Sequence, residues 1–188
     1  MIYLASASPR RRELLSQIGI KFELLLVDVD ESIISGELAD DYVARVATLK
    51  AQTAANKASD QTMAILAADT SVIDGNNILG KPRDKADAIN ILAGLSGKTH
   101  QVKTAISVAF NGGITTEVIT TDVTFRAISR QEIEQYWATG EPQDKAGAYG
   151  IQGIGGKFVE KINGSYSSVV GLPLMETEQL LNKVLQST

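Results

Sequence analysis

The sequence predicts one α/β domain over residues 1–188, with a mixed sheet flanked by helices, and three observations support that class. The chain has 188 residues, of which 44% are hydrophobic and 21% charged, a composition typical of a single soluble globular domain. Short apolar runs that suit buried strands alternate with segments of helical periodicity. Several of those runs flank Asn-Gly or Asp-Gly turns, which join antiparallel strands, so an all-parallel sheet is not expected.

The first third of the chain reads as strand, helix, strand and helix. A short apolar strand at residues 2–5 precedes Ser8 and Pro9, which suit the N-cap and first position of a helix. A second strand is expected at residues 22–27, just before an acidic cluster. Residues 38–57 carry apolar side chains at helical spacing and predict a second helix.

The middle of the chain is predicted to be rich in strands. Residues 64–68 are small or β-branched and suit a buried strand, with Asp69 at its end. Residues 70–82 contain an Asp-Gly turn and predict a hairpin. Asp84 suits the N-cap of a short helix, and residues 102–125 predict two long strands around an Asn-Gly-Gly turn.

The last third combines helices with one more predicted hairpin. Ser129 and Glu132 have the spacing of a capping box at the start of a helix. Strands at residues 158–162 and 166–170 are expected to pair across an Asn-Gly turn. A final helix is predicted at residues 175–185.

Charge and composition exclude several classes of protein. Eighteen Lys and Arg residues against 22 Asp and Glu residues give a formal charge of -4, which makes a long nucleic-acid duplex a poor partner but allows a small anion in a local basic pocket. With no cysteine and His100 as the single histidine, thiol catalysis and Cys/His metal clusters are excluded, and we expect a structural role for His100. A catalytic metal would have to bind carboxylates.

The sequence indicates neither a membrane span nor a secretion signal. No charge-free segment provides the roughly 18 apolar residues that a membrane helix needs. At the N-terminus the basic residues follow a short apolar run, which is the reverse of the order in a signal peptide. A cytoplasmic location is therefore expected.

Three consecutive arginines, Arg10, Arg11 and Arg12, occupy the first turn of the first predicted helix. The helix dipole favours negative charge there by about 0.3–1 kcal/mol per residue, so three cations oppose helix formation unless an anion binds. A phosphate chain would satisfy both the free N–H groups and the guanidinium groups. A solvated run of arginines is the alternative, and this segment by itself supports both readings.

Lys50 and Asp69 are the strongest candidates for chemistry. The spacing of Lys50 from the preceding valines places its ammonium on the apolar side of its helix, where it either extends to solvent or has an acidic partner. Asp69 follows a buried strand, and carboxylates at the ends of such strands lie where ligands approach an open sheet. The alternative is an Asp whose side chain hydrogen-bonds to a turn. Together with Asp30 or Glu31 it could hold Mg²⁺, which binds one or two carboxylates plus phosphate oxygens.

Glycines are concentrated late in the chain, since residues 140–171 hold eight of the 16. The run from 147 to 157, GAYGIQGIGGK, is here called the glycine-rich loop. Glycine lets the backbone approach a ligand closely, which favours a binding loop, while a set of tight turns is the alternative. Within it, Gln152 carries the donor and acceptor pair that can read the edge of a base.

Six segments occur in an order that resembles a known family. They are LASASPRR at 4–11, DVDES at 28–32, AADT at 67–70, LGKP at 79–82, LSGKTHQV at 95–102 and DKAGAYGIQG at 144–153. The chain resembles the Maf family of nucleoside triphosphate pyrophosphatases from Leu4 to the Gly171-Leu-Pro segment. Six ordered blocks are more specific than any single motif.

The resemblance implies a fold, a reaction and a setting. The fold would be a mixed α/β structure of the Maf/Ham1 type, with two lobes around a cleft. Water would attack the α-phosphorus of a nucleoside triphosphate and release the monophosphate and pyrophosphate, with a divalent cation, Mg²⁺ or Mn²⁺, as cofactor. Members of the family commonly form homodimers, so a homodimer in the cytoplasm is expected.

The resemblance also implies roles for individual residues. Asp69 would be the catalytic base and, with Glu31, a metal ligand, while Lys50 and Lys81 would assist catalysis. The substrate-binding residues would be Ser8, Arg10, Arg11, Thr70 and Gln152. Of these, Arg11, Thr70 and Gln152 match the branch that acts on dTTP and UTP.

A protein of another class stays open as an alternative. A nucleotide-binding regulator of cell division, such as a septum formation inhibitor with little turnover, would need the arginines and the glycine-rich loop. It would not need Asp69 together with Glu31. These carboxylates therefore favour an enzyme.

Overall fold

Six α-helices and seven strands occur along residues 1–186, the part of the chain that the computed structural model describes. The strands are β1 (Ile2–Leu4), β2 (Phe22–Leu24), β3 (Ile65–Asp74), β4 (Asn77–Leu79), β5 (Thr99–Phe110), β6 (Gly113–Phe125) and β7 (Val159–Asn163). The helices are α1 (Pro9–Gln17), α2 (Ala39–Lys57), α3 (Lys85–Leu95), α4 (Arg130–Trp137), α5 (Tyr166–Val170) and α6 (Leu174–Gln186). Short 3₁₀ helices cover Glu141–Asp144, Ala146–Ala148 and Ile154–Phe158.

The strands form one mixed sheet in the order β2-β1-β3-β5-β6-β7, with β4 paired to β3 off that path. β1 is parallel to both β2 and β3, whereas the β3–β4 and β6–β7 pairs are antiparallel. This combination confirms the predicted class, an α/β fold with a mixed sheet. Within the described residues, no helix is long and apolar enough to cross a membrane.

The chain divides into two compact units. Unit 1 contains Met1–Asp69, Thr104–Ile119 and the chain from Gly171 onward, and unit 2 contains Thr70–Lys103 and Thr120–Val170. The first boundary falls inside β3, and the two long strands β5 and β6 also contribute residues to both units.

Each unit has its own apolar core. In unit 1 the small residues Ala51 and Ala54 of α2 pack against Tyr3 of β1 and Ile65 of β3, so the helix can lie close to the sheet. In unit 2 a cluster of aromatic and leucine side chains is buried between α3, α4 and β6. It includes Leu92, Leu95, Phe125, Tyr136, Tyr149 and Phe158.

Local signals placed helix starts and turns correctly. The side chains of Ser8, Asp84 and Ser129 cap α1, α3 and α4, and the capping box at Ser129 is complete. The turn between β5 and β6 uses Asn111 and Gly112 at φ 48° and 78°, the positive values that a tight hairpin of this hand requires.

The prediction of a strand at residues 166–170 was wrong, because these residues form α5. β7 already has a partner, since it pairs with β6 from Asp122 to Phe125. Ser165 then caps the new helix through its Oγ, which accepts from the Ser168 N–H at 3.2 Å. Short apolar runs fit both states, and here the packing decided for a helix.

The placement of Asp69 at the end of a strand was also wrong. β3 continues five residues further to Asp74, because β4 pairs with it from Val72 to Asp74. On the other side β1 stops at Leu4, which pairs with Leu66. Asp69 therefore lies beyond the carboxyl end of β1 rather than of its own strand.

Candidate active site

Lys50 of α2 joins two carboxylates in unit 1. Its Nζ lies 2.6 Å from Glu31 Oε1 and 2.9 Å from Asp69 Oδ1. The side chains of Lys50 and Asp69 are 14% and 10% exposed, whereas that of Glu31 is 53% exposed. Of the two environments expected for Lys50, the structure shows the one with acidic partners. Two carboxylates around one ammonium leave a negative charge uncompensated, which favours a further cation nearby.

Glu31, not Asp30, is the acidic residue that faces Lys50. The carboxylate of Asp30 instead turns back on its own segment, where its Oδ1 accepts from the Ser32 N–H at 2.9 Å. Hydrogen bonds from Ser32 lower the pKa of Asp30. The choice that the sequence left open is therefore resolved by a local turn, which uses one carboxylate and leaves the other available.

The segment that carries Glu31 has no regular secondary structure but is fastened to α2. The Tyr42 hydroxyl donates to the Glu31 carbonyl at 2.9 Å, and Arg45 Nη2 donates to the Ser32 carbonyl at 2.9 Å. Arg45 also forms a two-pronged ion pair with Glu37 at 2.6 and 2.8 Å. Three contacts thus hold the main chain around Glu31 against the helix that carries Lys50.

Tyr42 is a member of this site that sequence analysis missed, since it was counted only among the apolar positions of α2. Burial raises the pKa of Tyr42 to about 12, and the negative charges of Asp69 and Glu31 act in the same direction. The hydroxyl therefore stays protonated and available as a donor. The signal in the sequence was the phenol itself, because a buried tyrosine hydroxyl needs a partner.

The arginine-rich start of α1 belongs to the same unit. Ser8 Oγ accepts from the Arg11 N–H at 3.4 Å and caps the helix. The Arg11 side chain turns inward, where its Nε donates to the Gly171 carbonyl at 2.8 Å and its Nη1 to Ser6 Oγ at 3.2 Å. Ser6, which sequence analysis did not single out, also accepts from the Ser8 N–H at 3.2 Å. Arg11 is therefore held by the protein on two sides.

Arg11 is within electrostatic reach of the carboxylates. Burial lowers the pKa of Arg11, while the charge of Asp69 and, more weakly, that of Glu31 oppose the shift and the neighbouring Arg10 adds to it. Neither Arg10 nor Arg12 forms an ion pair with any described residue, and both are partly exposed. The helix start thus presents uncompensated positive charge, as an anion site requires.

The other predicted residues lie in unit 2. Thr70 follows Asp69 along β3, Lys81 is exposed in the turn between β4 and α3, and Gln152 is exposed in the glycine-rich loop. The Gly80 carbonyl accepts from the Gly147 N–H at 3.1 Å, so the turn that carries Lys81 is bonded to the start of that loop.

The beginning of the glycine-rich loop packs tightly on the core of unit 2. Gly147 has φ 67°, and a Cβ atom there would lie 2.7 Å from the Val72 side chain, so only glycine fits. Ala148 also has a positive φ of 59° and is fully buried. The strained backbone is retained because the surrounding packing holds it in place.

His100 contacts the glycine-rich loop through Tyr149, in agreement with the expected structural role. Its Nε2 lies 2.9 Å from the Tyr149 hydroxyl, and its ring makes edge contacts with both Phe125 and Tyr149. Burial lowers the pKa of His100 to about 4, partly opposed by the charge of Asp74. The imidazole is therefore neutral at physiological pH.

The donor set in unit 1 fits a hard divalent cation. No cluster of three or more His, Asp or Glu side chains suited to a metal occurs among residues 1–186. Glu31 and Asp69 do supply two carboxylates, which is what Mg²⁺ takes from a protein when water and substrate phosphates complete its shell. In this structure the ammonium of Lys50 stands between them.

Known proteins resemble this chain over nearly its whole length. The family model described as Maf-like protein matches residues 1–184. The dTTP/UTP pyrophosphatase of Pseudoalteromonas translucida is 54% identical over 98% of this chain and 97% of its own. That of Methylobacillus flagellatus is 53% identical over 96% and 90%. The solved Ham1 protein of Staphylococcus aureus superposes with a TM-score of 0.47 at 17% identity, over 95% of this chain and 88% of that one.

A match over nearly the whole chain, together with relatives at about half identity, establishes the family. The chain belongs to the Maf-like proteins, as its six ordered motifs predicted. The relatives just described carry the name dTTP/UTP pyrophosphatase.

Proposed function

We propose that this protein hydrolyses nucleoside triphosphates, preferentially dTTP and UTP, to the monophosphate and pyrophosphate. The observation that carries the proposal is the buried Asp69 carboxylate paired with Lys50 and Glu31 near the arginine-rich start of α1. Carboxylates beside guanidinium groups suit a metal-assisted reaction at phosphate. The names of the relatives at about 50% identity support the same substrates.

In the proposed reaction Asp69 acts as the base. The oxygen of a water molecule forms a bond to the α-phosphorus, the bond from that phosphorus to the α,β-bridging oxygen breaks, and pyrophosphate leaves. The carboxylate of Asp69 accepts the proton of the attacking water. Lys50 donates to Asp69 Oδ1 in this structure, and in the reaction its ammonium would offer positive charge to a phosphate oxygen.

The remaining residues bind substrate and cation. Glu31 and Asp69 would hold the divalent cation, which when bound neutralises phosphate charge and polarises the phosphorus–oxygen bonds. Arg10, Arg11 and Lys81 supply positive charge for the triphosphate.

Base selectivity is assigned to Thr70 and Gln152. The carboxamide of Gln152 can donate to and accept from a pyrimidine edge, and a base site lined by the glycine-rich loop would admit the smaller pyrimidine ring more readily than a purine.

The proposal is tested by a panel of nucleoside triphosphates with Mg²⁺ or Mn²⁺, in which pyrophosphate and orthophosphate are measured separately. We expect pyrophosphate release that is fastest with dTTP and UTP and that stops in excess chelator. Orthophosphate release without pyrophosphate would contradict attack at the α-phosphorus. Full turnover in chelator would contradict the cation.

We also propose that the protein works as a cytoplasmic homodimer, as the family resemblance implies. Sedimentation velocity of the purified chain measures its oligomeric state. Fractionation of cells that express it measures its location.

A further inference from the structure

The central part of the glycine-rich loop is folded around one carboxylate, that of Glu141. Its Oε2 accepts from the Ile154 N–H at 2.8 Å, and its Oε1 accepts from the Gly155 N–H at 3.0 Å. The Tyr136 hydroxyl donates to the same Oε1 at 2.7 Å. Three donors from two segments of unit 2 thus converge on one side chain.

Tyr136 extends this network to the other end of the loop. Its hydroxyl accepts from the Gly150 N–H at 3.1 Å while it donates to Glu141. Burial and the bond to Glu141 raise the pKa of Tyr136, so the hydroxyl keeps its proton. The main chain is consequently tied to Glu141 at Ile154 and Gly155 and, through Tyr136, at Gly150.

The glycines of the loop are explained by this close approach. A Cβ atom at Gly153 would overlap the Glu141 carboxylate, and one at Gly155 would lie 2.5 Å from the Tyr136 hydroxyl. Neither glycine has a positive φ, so conformational freedom is not the reason for them. The loop needs glycine at these two positions because it packs closely against Glu141 and Tyr136.

Glu141 is ionised in this setting. Burial by itself would raise the pKa of Glu141, but bonds from the Gly155 N–H, the Tyr136 hydroxyl and the Ile154 N–H outweigh it and lower the pKa. Lys145, whose Nζ donates to the Glu141 carbonyl at 2.9 Å, adds positive charge nearby. The anion is well matched by donors and holds the loop firmly.

Gln152 lies between the two attachments. Gly150 precedes it by two residues and Ile154 follows it by two, while its own side chain is exposed and makes no hydrogen bond within residues 1–186. The position of its Cα atom, and so the region that its carboxamide can reach, is therefore set by the backbone on either side, which Glu141 and Tyr136 hold in place.

We propose that Glu141 is a positioning residue for base selection, which holds the glycine-rich loop so that Gln152 meets a pyrimidine. This inference rests on the proposed function, because it assumes that Gln152 faces the base. A binding group whose support is rigid in advance loses less entropy when the ligand arrives.

The test is Glu141→Gln, which keeps the shape of the side chain but replaces one acceptor oxygen by an NH₂ donor. One of the backbone N–H groups then loses its acceptor. We expect the ratio of kcat/KM for dTTP to that for dATP to fall about 10-fold, the effect of losing one orienting hydrogen bond. The change should lie mainly in KM, because the groups that act on phosphate are untouched. A purely structural role would lower kcat for both nucleotides alike and leave the ratio unchanged.

Two further variants make the result specific. In a Gln152→Ala background, Glu141→Gln should cause no additional loss of the ratio, since the two residues act through one contact. The matched control is Glu132→Gln in the same unit, whose carboxylate also accepts a backbone N–H and pairs with Arg126. This control should lose stability but keep the ratio.

The outcomes separate the two proposals. If the wild-type protein uses dTTP and dATP equally well, both the base preference and the role of Glu141 are overturned. Suppose instead that the wild type prefers dTTP to dATP and that Gln152→Ala loses this preference. If Glu141→Gln then keeps the wild-type ratio, only the role of Glu141 is overturned.

Two measurements cover the case in which Glu141→Gln does not fold. Tyr136→Phe, which removes the hydroxyl that links Gly150 to Glu141, should give the same fall in ratio. In the wild type the amide protons of Ile154 and Gly155 should exchange slowly with solvent. Fast exchange at both amides would overturn the inference without any variant.

Discussion

The Nζ of Lys50 lies 2.9 Å from the Oδ1 of Asp69, and the same ammonium lies 2.6 Å from Glu31. In this structure a lysine thus stands between the two carboxylates proposed to bind a cation. Its positive charge offsets their mutual repulsion, and it competes with a divalent cation for the same oxygens. The arrangement predicts that substrate phosphates help to draw Lys50 away and make room for the cation.

Replacing Lys50 by methionine should therefore strengthen cation binding and lower the stability of the cation-free protein. We expect tighter Mn²⁺ binding without nucleotide, measured by titration calorimetry, because the competing ammonium is gone. In chelator the free energy of unfolding should fall by about 3 kcal/mol, since Asp69 loses its buried partner. The control is Lys57→Met, an exposed lysine on the same helix. Unchanged Mn²⁺ affinity in Lys50→Met would contradict the competition.

Asp69→Asn should abolish turnover while the fold is kept. The amide oxygen can still accept from Lys50, but it cannot take a proton from water or hold the cation with a full charge. We expect kcat for pyrophosphate release to fall by at least about 10³-fold, with nucleotide binding partly retained. Asp122→Asn on β6 is the matched control. If the Asp69 variant keeps a near-normal kcat, Glu31 becomes the candidate base.

Gln152 and Arg10 should affect selectivity in different ways. Gln152→Leu should lower kcat/KM for dTTP and UTP by about 10-fold to 100-fold, because one base contact is worth about 1–3 kcal/mol. Arg10→Ala should lower kcat/KM for all nucleotides by a similar factor, since contacts to phosphate do not distinguish one base from another. Kinetics with four nucleotides separates the two effects. Identical substrate profiles for both variants would contradict the assignment of Gln152.

Burial of His100 predicts a loss of stability in mild acid. The pKa of His100 is lowered to about 4, whereas an unfolded histidine titrates near pH 6.5. Between these values the unfolded chain binds more protons, so the free energy of unfolding should fall by about 3 kcal/mol as the pH drops from 6.5 to 4. Urea titrations across this range measure the effect.

The variant His100→Gln should flatten that acid-induced loss. Because the chain has one histidine, its imidazole NMR signal can be followed without ambiguity. A titration midpoint near pH 6.5 in the folded protein would contradict the predicted burial effect.

Local chemistry made much of the fold predictable from the sequence. Ser8, Asp84 and Ser129 cap helices within three residues of themselves, and the turn at Asn111 needs only two residues with positive φ. Such interactions are complete within a short segment, so the residues that make them can be read in order. The AADT motif likewise marked Asp69, and helical spacing marked Lys50.

Other features depend on residues that meet only when the chain folds. The sequence of residues 166–170 fits a strand or a helix, and the pairing of β7 with β6 leaves no strand partner for them there. Asp69 would end its strand if β4 did not pair with the residues that follow it. Glu31 and Asp30 are equivalent in the sequence, yet only Glu31 reaches Lys50, because a local turn uses the other.

Glu141 shows the same division most clearly. In the sequence it is an acidic residue next to a proline and before the glycine-rich loop, and no motif or spacing distinguishes it from other surface carboxylates. Its role depends on N–H groups 13 and 14 residues away that point at one carboxylate. Residue type and local spacing determined which groups were available for chemistry and where helices and turns begin. Tertiary packing decided which distant partner each buried polar group has, because burial makes an unpaired charge or donor too costly to leave.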